Sequence, residues 1–259
     1  MNRIEVLGFP MDVASMNETV EVIQNSISEG GFTQHVVVNV AKLINMRTDS
    51  RLRDSVNSCD IINIDGMGVV LGARFLGYDV PERVAGVDLF DALLAMSARC
   101  GYSVYLLGAE EGVVAEVARK VKLLHDGLRV AGYHHGYFWG DEEAMVEDIR
   151  LSGAQLLFVA ITSPKKENFI NRWRDQLGVN FVMGVGGTFD VVAGKVSRAP
   201  VWMQQCGLEW FYRVAQEPRR LWRRYMVTNS KFAMLLILEK FRMIRGDARS
   251  VQGGGSPPR

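Results

Sequence analysis

The chain has 259 residues, 48% of them hydrophobic and 23% charged, with a formal net charge of +1. That is enough chain for one sizeable α/β core, and a balance so near neutral excludes a global attraction to nucleic acid. Three cysteines, Cys59, Cys100 and Cys206, are too few and too scattered for a disulfide framework or a zinc site.

The first twelve residues carry no apolar h-region and no small-residue cleavage site, so no secretory signal is expected. No run approaches the roughly 20 apolar residues that span a bilayer. The expectation is a cytoplasmic protein that can still touch the membrane from that side. Short apolar runs at 35–40, 61–64, 103–107, 155–161 and 180–185 read as buried strands. Helical patterns lie between them at 87–98, 112–125, 142–152 and 165–176. Continuous apolar strands separated by helices predict a Rossmann-like, mostly parallel sheet with helices on both faces. In such a sheet the site lies at the carboxyl ends of the strands.

Near Pro200 the chain changes character. From Cys206 to Arg245 there are nine Lys or Arg against three Glu, interleaved with Trp210, Phe211, Tyr212, Trp222, Tyr225, Phe232 and Phe241. On a helical wheel, Arg219, Arg220, Arg223 and Arg224 fall on one half, and Leu221, Trp222, Tyr225 and Met226 on the other. Such a helix can lie in a membrane interface with guanidiniums toward anionic headgroups, or pack its apolar half on the core. The predicted organisation is a catalytic α/β domain over 1–199, a basic helical appendage over 200–246 and a flexible tail over 247–259.

The residues after each strand are the candidate site. Asp65 follows 61–64 and precedes Gly66-Met67-Gly68, where a carboxylate can act as general base or as a helix N-cap. Asn39 can hydrogen-bond a substrate or simply close a strand end. Arg83 can pair with phosphate or stay solvated in its loop. The segment Thr162-Ser163-Pro164-Lys165-Lys166-Glu167 opens a helix whose N-terminus favours phosphate, with Lys166 adding charge. The same residues would satisfy a Ser cap with Pro at the first helical position. Gly184 to Asp190 contains a second glycine turn, Gly186-Gly187, suited to close approach of a nucleotide, with Asp190 able to accept from it. Its spacing fails the dinucleotide fingerprint. No Asp-x-Asp pair stands at a strand end and the four histidines have no metal-cage spacing, so no metal is expected.

Taken in order, several segments resemble the WecG/TagA/CpsF family, glycosyltransferase family 26. They are Val38-Asn39, Asp65-Gly66-Met67-Gly68, Glu82-Arg83-Val84-Ala85-Gly86-Val87-Asp88, Leu106-Leu107-Gly108-Ala109 and Ser163-Pro164-Lys165-Lys166-Glu167. Gly186-Gly187-Thr188-Phe189-Asp190, Arg198-Ala199-Pro200, Gly207 to Arg213 and Glu217 to Leu221 continue the series. The resemblance covers about residues 5 to 240. It implies an enzyme that inverts the anomeric centre without metal or cofactor, with a UDP-sugar as donor substrate and a polyprenyl-diphosphate-linked sugar as acceptor, serving cell-envelope, capsule or exopolysaccharide synthesis. It implies Asp65 as the base, Arg83 at the diphosphate or acceptor, and an arginine-rich appendage that reaches the inner face of the plasma membrane.

Two positions depart from the family pattern: Val37 where a Thr is frequent, and Lys166 where a Gln is common. The expected catalytic residues are therefore Asp65 and Arg83. Asn39, Gly66, Lys166, Glu167, Gly186, Gly187 and Asp190 are expected to bind substrates, and Arg213, Arg219, Arg220, Arg223 and Arg224 the lipid diphosphate or headgroups. UDP-N-acetylmannosamine and UDP-glucose both remain open as donors, and self-association would cover an exposed apolar face on the appendage. A nicotinamide-dependent oxidoreductase and a non-catalytic membrane-docking protein are the alternatives.

Overall fold

A computed structural model describes residues 1–252 of the chain, except for the side chains of Arg220 and of residues 246–252. The chain opens with β1 (Asn2–Val6) and β2 (Phe9–Val13), then α1 (Met16–Ser28), β3 (Thr33–Val38), α2 (Val40–Met46), α3 (Ser50–Asn57) and β4 (Ile61–Ile64). Next come α4 (Met67–Leu76), α5 (Gly86–Cys100), β5 (Ser103–Gly108), α6 (Glu111–Leu124), β6 (Arg129–His134) and α7 (Glu142–Leu151). β7 (Leu156–Ala160), α8 (Lys165–Trp173), β8 (Phe181–Gly184) and α9 (Thr188–Ala193) complete the α/β part. After them stand α10 (Val201–Gln205), α11 (Glu209–Gln216) and α12 (Pro218–Gln252). The bounds of α12 take in 247–252, which the sequence assigned to a tail, and 253–259 lie outside the described residues.

The eight strands form one sheet in the order β1-β2-β4-β3-β8-β7-β5-β6, parallel except for β1. All five predicted strands are present. The β1–β2 hairpin turns on Leu7 and Gly8, both at positive φ (54° and 85°), as a tight two-residue hairpin requires. β6 escaped the sequence reading because it is an edge strand whose residues alternate between exposed and half-buried. It shows no continuous apolar run.

Alternate residues of the inner strands face opposite layers. Val37, Ile61, Phe158, Phe181 and Met183 meet α1, α5, α6 and α9 in one core, which includes Leu89, Phe90, Val117 and Phe189. Val36, Val38, Ile62 and Ile64 meet α2, α3 and α4 on the other side, through Leu43, Leu52, Val69 and Val70. Leu107, Leu157, Val159 and Val182 meet α7 and α8 there through Ile149, Phe169 and Ile170.

The same layer receives α12. Phe232 is buried among Val69, Val70 and Ala73, with Leu235 and Leu236 packed beside it. Gly72 on α4 makes this possible, since a Cβ there would stand 2.7 Å from Phe232 Cζ. Nearer its start, α12 splits the apolar half of the predicted wheel: Leu221 is buried, whereas Trp222 and Met226 remain exposed. Of that half, core packing takes Leu221, as it takes Phe232 further along the helix, and leaves Trp222 and Met226 on the outer face. Met234, Ile237, Leu238, Phe241 and Ile244 continue that exposed apolar surface.

Candidate active site

The chain leaves β3 to form β4 on one flank, crosses to β5, and returns through β7 and β8 to lie against β3. Strand order therefore reverses between β3 and β8, and a ligand crevice is expected at their carboxyl ends. Helices α2, α4, α8 and α9 begin directly beyond β3, β4, β7 and β8. Their N–H groups and dipoles favour negative charge at that edge.

Asn39 caps α2, its Oδ1 accepting from Lys42 N at 3.0 Å. Ending the strand is thus one of its functions, and the predicted strand stops at Val38 for that reason. Asp65 is not a cap. Its backbone N–H donates to Val38 O at 2.9 Å, and Gly66 takes the cap position with φ +93°, a conformation glycine adopts without strain. A Cβ on Gly66 would lie 3.9 Å from Asn39 Cβ, so the two turns are neighbours.

The Asp65 carboxyl is raised above its usual range, first by burial and then by the nearby Glu209 carboxylate, against Arg83, Arg213 and Lys42. Burial weakens the charged form and makes the carboxylate a stronger proton acceptor.

Arg83 lies in the loop between α4 and α5. It donates from Nη1 to Glu209 Oε2 at 2.8 Å and from Nη2 to Gln204 Oε1 at 3.1 Å. Arg213 Nη2 donates to Glu209 Oε1 at 3.1 Å. Burial opposes ionisation of Glu209, but these guanidiniums outweigh it and hold its carboxyl below the usual range. The appendage is brought here by a turn at Gly207, where a Cβ would meet Met67 Cβ at 3.0 Å, one residue past Gly66. Arg198 grips Asp88 with two nitrogens, one at 2.7 Å, tying the segment before α10 to the start of α5.

Lys166 and Glu167 do not project from an open helix start. Both are buried in a cluster with Lys42: Glu167 Oε1 is 2.8 Å from Lys42 Nζ and 3.2 Å from Lys166 Nζ. Two ammonium groups overcome the burial of Glu167 and hold its carboxyl near 2, while burial brings Lys166 down to about 8. Gly184 is glycine because the Lys166 stem crosses it, with Cδ and Cε 2.8 Å from where a Cβ would be. Lys166 Nζ then reaches within 3.8 Å of the Cβ position of Gly186. The Ser-capped, Pro-first start expected for α8 is replaced by Pro164 at the cap position without a side-chain bond. Gly187 is the cap of α9, and Asp190 stands in its first turn.

Structure thus gathers Asp65, Arg83 and Arg213 through Glu209, and links Asn39 to Lys166 and Glu167 through Lys42 on α2. Arg219, Arg223 and Arg224 lie exposed on α12, and the side chain of Arg220 lies outside the described residues. Sequence reasoning missed Lys42, Gln204 and Glu209. A signal for Lys42 existed, as a cation three residues after a strand-end Asn. Among the described residues, no group of three or more His, Cys, Asp or Glu is placed to hold a metal, and no helix is long and apolar enough to cross a membrane.

An α/β protein with its candidate site at the topological switch of a mostly parallel sheet is the class that fold and geometry define. Residues 4–246 match the model of the glycosyl transferase WecG/TagA/CpsF family, and the chain belongs to that family. It is 34% identical over 187 residues, 72% of each chain, to the N-acetylglucosaminyldiphosphoundecaprenol N-acetyl-beta-D-mannosaminyltransferase of Bacillus subtilis (strain 168). The Bacillus spizizenii protein of the same name is 37% identical over 171 residues, 66% of each chain. The chain is therefore a glycosyltransferase, and neither the oxidoreductase nor the non-catalytic docking alternative stands.

Proposed function

We propose that the chain moves a sugar from a UDP-sugar to a hydroxyl of a sugar carried on polyprenyl diphosphate, by one inverting displacement at the inner face of the membrane. Family membership and the names of the two relatives support the acceptor class. The observation that carries the chemistry is Asp65, raised toward basicity, at a strand end beside the Arg83–Glu209–Arg213 group.

In this reading the acceptor oxygen attacks the anomeric carbon while the bond to the UDP oxygen breaks. Asp65 takes the acceptor proton, and UDP leaves with the bonding electron pair. Asn39 orients a substrate, buried Glu167 holds Lys42 and Lys166 in place, and Gly66, Gly186 and Gly187 let substrates approach the backbone. Asp190 receives the nucleotide. Charge on the leaving diphosphate falls to Arg83, Lys166 and the helix N-termini rather than to a metal. Exposed Arg219, Arg223 and Arg224 face anionic headgroups, and Trp222, Met226 and Phe241 enter the apolar boundary.

The donor is UDP-N-acetylmannosamine or a UDP-hexose such as UDP-glucose. Lys166, an ammonium where the family commonly has a glutamine, bears on that choice. The test is UDP release from a panel of UDP-sugars, with N-acetylglucosamine on a short polyprenyl diphosphate as acceptor and no added metal. Acceptor-dependent release from one donor is expected and identifies the sugar. Folded protein that releases no UDP with any donor and several acceptor sugars would overturn the reading.

A further inference from the structure

Glu209 has no place in the transfer chemistry, yet it sits where that chemistry needs an anion. Each of its carboxylate oxygens receives one guanidinium, Arg83 at 2.8 Å and Arg213 at 3.1 Å, and its side chain is only 19% exposed. Two guanidiniums converging on two oxygens of one anion is equally a geometry for phosphate. Resting on the function proposed above, we infer that Glu209 is a stand-in for a substrate diphosphate, holding Arg83 and Arg213 in place until the diphosphate displaces it.

Three observations fit this role. Arg83 has a second hold through Gln204, whose own amide donates to Ala199 O at 2.7 Å, so releasing Glu209 does not release Arg83. Arg213 is 45% exposed and on the same helix, four residues on, and is free to follow an incoming ligand. Finally, Glu209 lies close enough to Asp65 to raise its carboxyl, so its departure alters the base as substrate arrives. The charged groups facing this pair are Arg83 from the loop before α5, Arg198 from the segment before α10, Arg213 from α11 and Lys42 from α2.

Glu209 is thus a positioning residue, and its removal has a sign that a plain structural salt bridge does not. The experiment compares wild type with Glu209→Gln by calorimetric titration with UDP and, separately, with farnesyl diphosphate, alongside the pH profile of kcat/KM. Glu209→Gln should bind one of the two diphosphates about tenfold more tightly, since a charge-assisted contact no longer has to be displaced. Whichever ligand gains shows whether donor or acceptor diphosphate takes the site. The acid limb of the profile should move to lower pH, because Asp65 loses a like-charged neighbour.

Weaker or unchanged binding of both ligands by the variant, or an unmoved limb, overturns the role of Glu209 and leaves the transferase reading intact. Wild type that binds neither diphosphate overturns the transferase reading and this inference with it. If Glu209→Gln is recovered unfolded, Glu209→Asp decides. A carboxylate one methylene shorter loosens its hold on Arg83 and tightens diphosphate binding, whereas a structural bridge predicts the reverse.

Discussion

Lys42, on the helix after β3, and Glu167, on the helix after β7, meet as a buried ion pair of 2.8 Å beyond the carboxyl ends of those strands. They join the two halves of the sheet across the point where strand order reverses. Replacing Lys42 with Met leaves Glu167 buried with Lys166 alone. Loss of one partner of a buried pair costs about 3 kcal/mol, measured as a lower urea midpoint with an unchanged slope.

The pH dependence of stability follows from the same cluster. Glu167 is held near 2 against an ordinary 4.5, so the stability it contributes is complete above about 4.5 and lost as pH falls toward 2. Lys166 runs the other way. Its folded value, about 8, lies below its ordinary 10.5, so the unfolded chain binds more protons between them and stability rises with pH across that window. In Lys166→Gln the alkaline rise should vanish while the acid loss remains. Urea midpoints between pH 2 and 11 check both limbs.

Asp65→Asn should separate activity from stability. Loss of the base should lower kcat by about 10²- to 10⁴-fold. Because the Asp65 carboxyl is raised in the folded protein, its charge opposes folding above the ordinary carboxylate range. The variant should therefore melt at or above the wild-type temperature at neutral pH. A variant that is both inactive and clearly less stable would point to a structural role.

The seat of α12 depends on Phe232 against Gly72. Phe232→Ala removes a buried ring and should cost about 3 kcal/mol. Limited proteolysis should then cut within α12 before the sheet is attacked. Gly72→Val should release the same helix by filling its seat.

Membrane contact is tested on the exposed arginines. Changing Arg219, Arg223 and Arg224 to Gln removes three cations worth about 1 kcal/mol each near an anionic surface. Binding to vesicles containing phosphatidylglycerol should fall roughly 100-fold, with little change on neutral vesicles. Equal binding of the variant to both would remove the arginines from the membrane contact.

The sequence by itself determined the sheet and the places to look. Apolar runs buried on both faces have few alternatives to parallel strands, and residues directly after them must lie at one edge, so Asn39, Asp65 and the Gly186-Gly187 turn were legible. Edge strand β6 was not, because half-exposed residues leave no apolar run. Tertiary structure alone decided which long side chains meet. Lys42, Glu167 and Lys166 come from two helices that are distant in sequence, and Glu209 reaches Arg83 only because the Gly207 turn folds against Met67. Ion pairs of this kind depend on a few ångströms between segments far apart in the chain. Periodicity records which face of an element is buried, and carries no information about the partner it meets there.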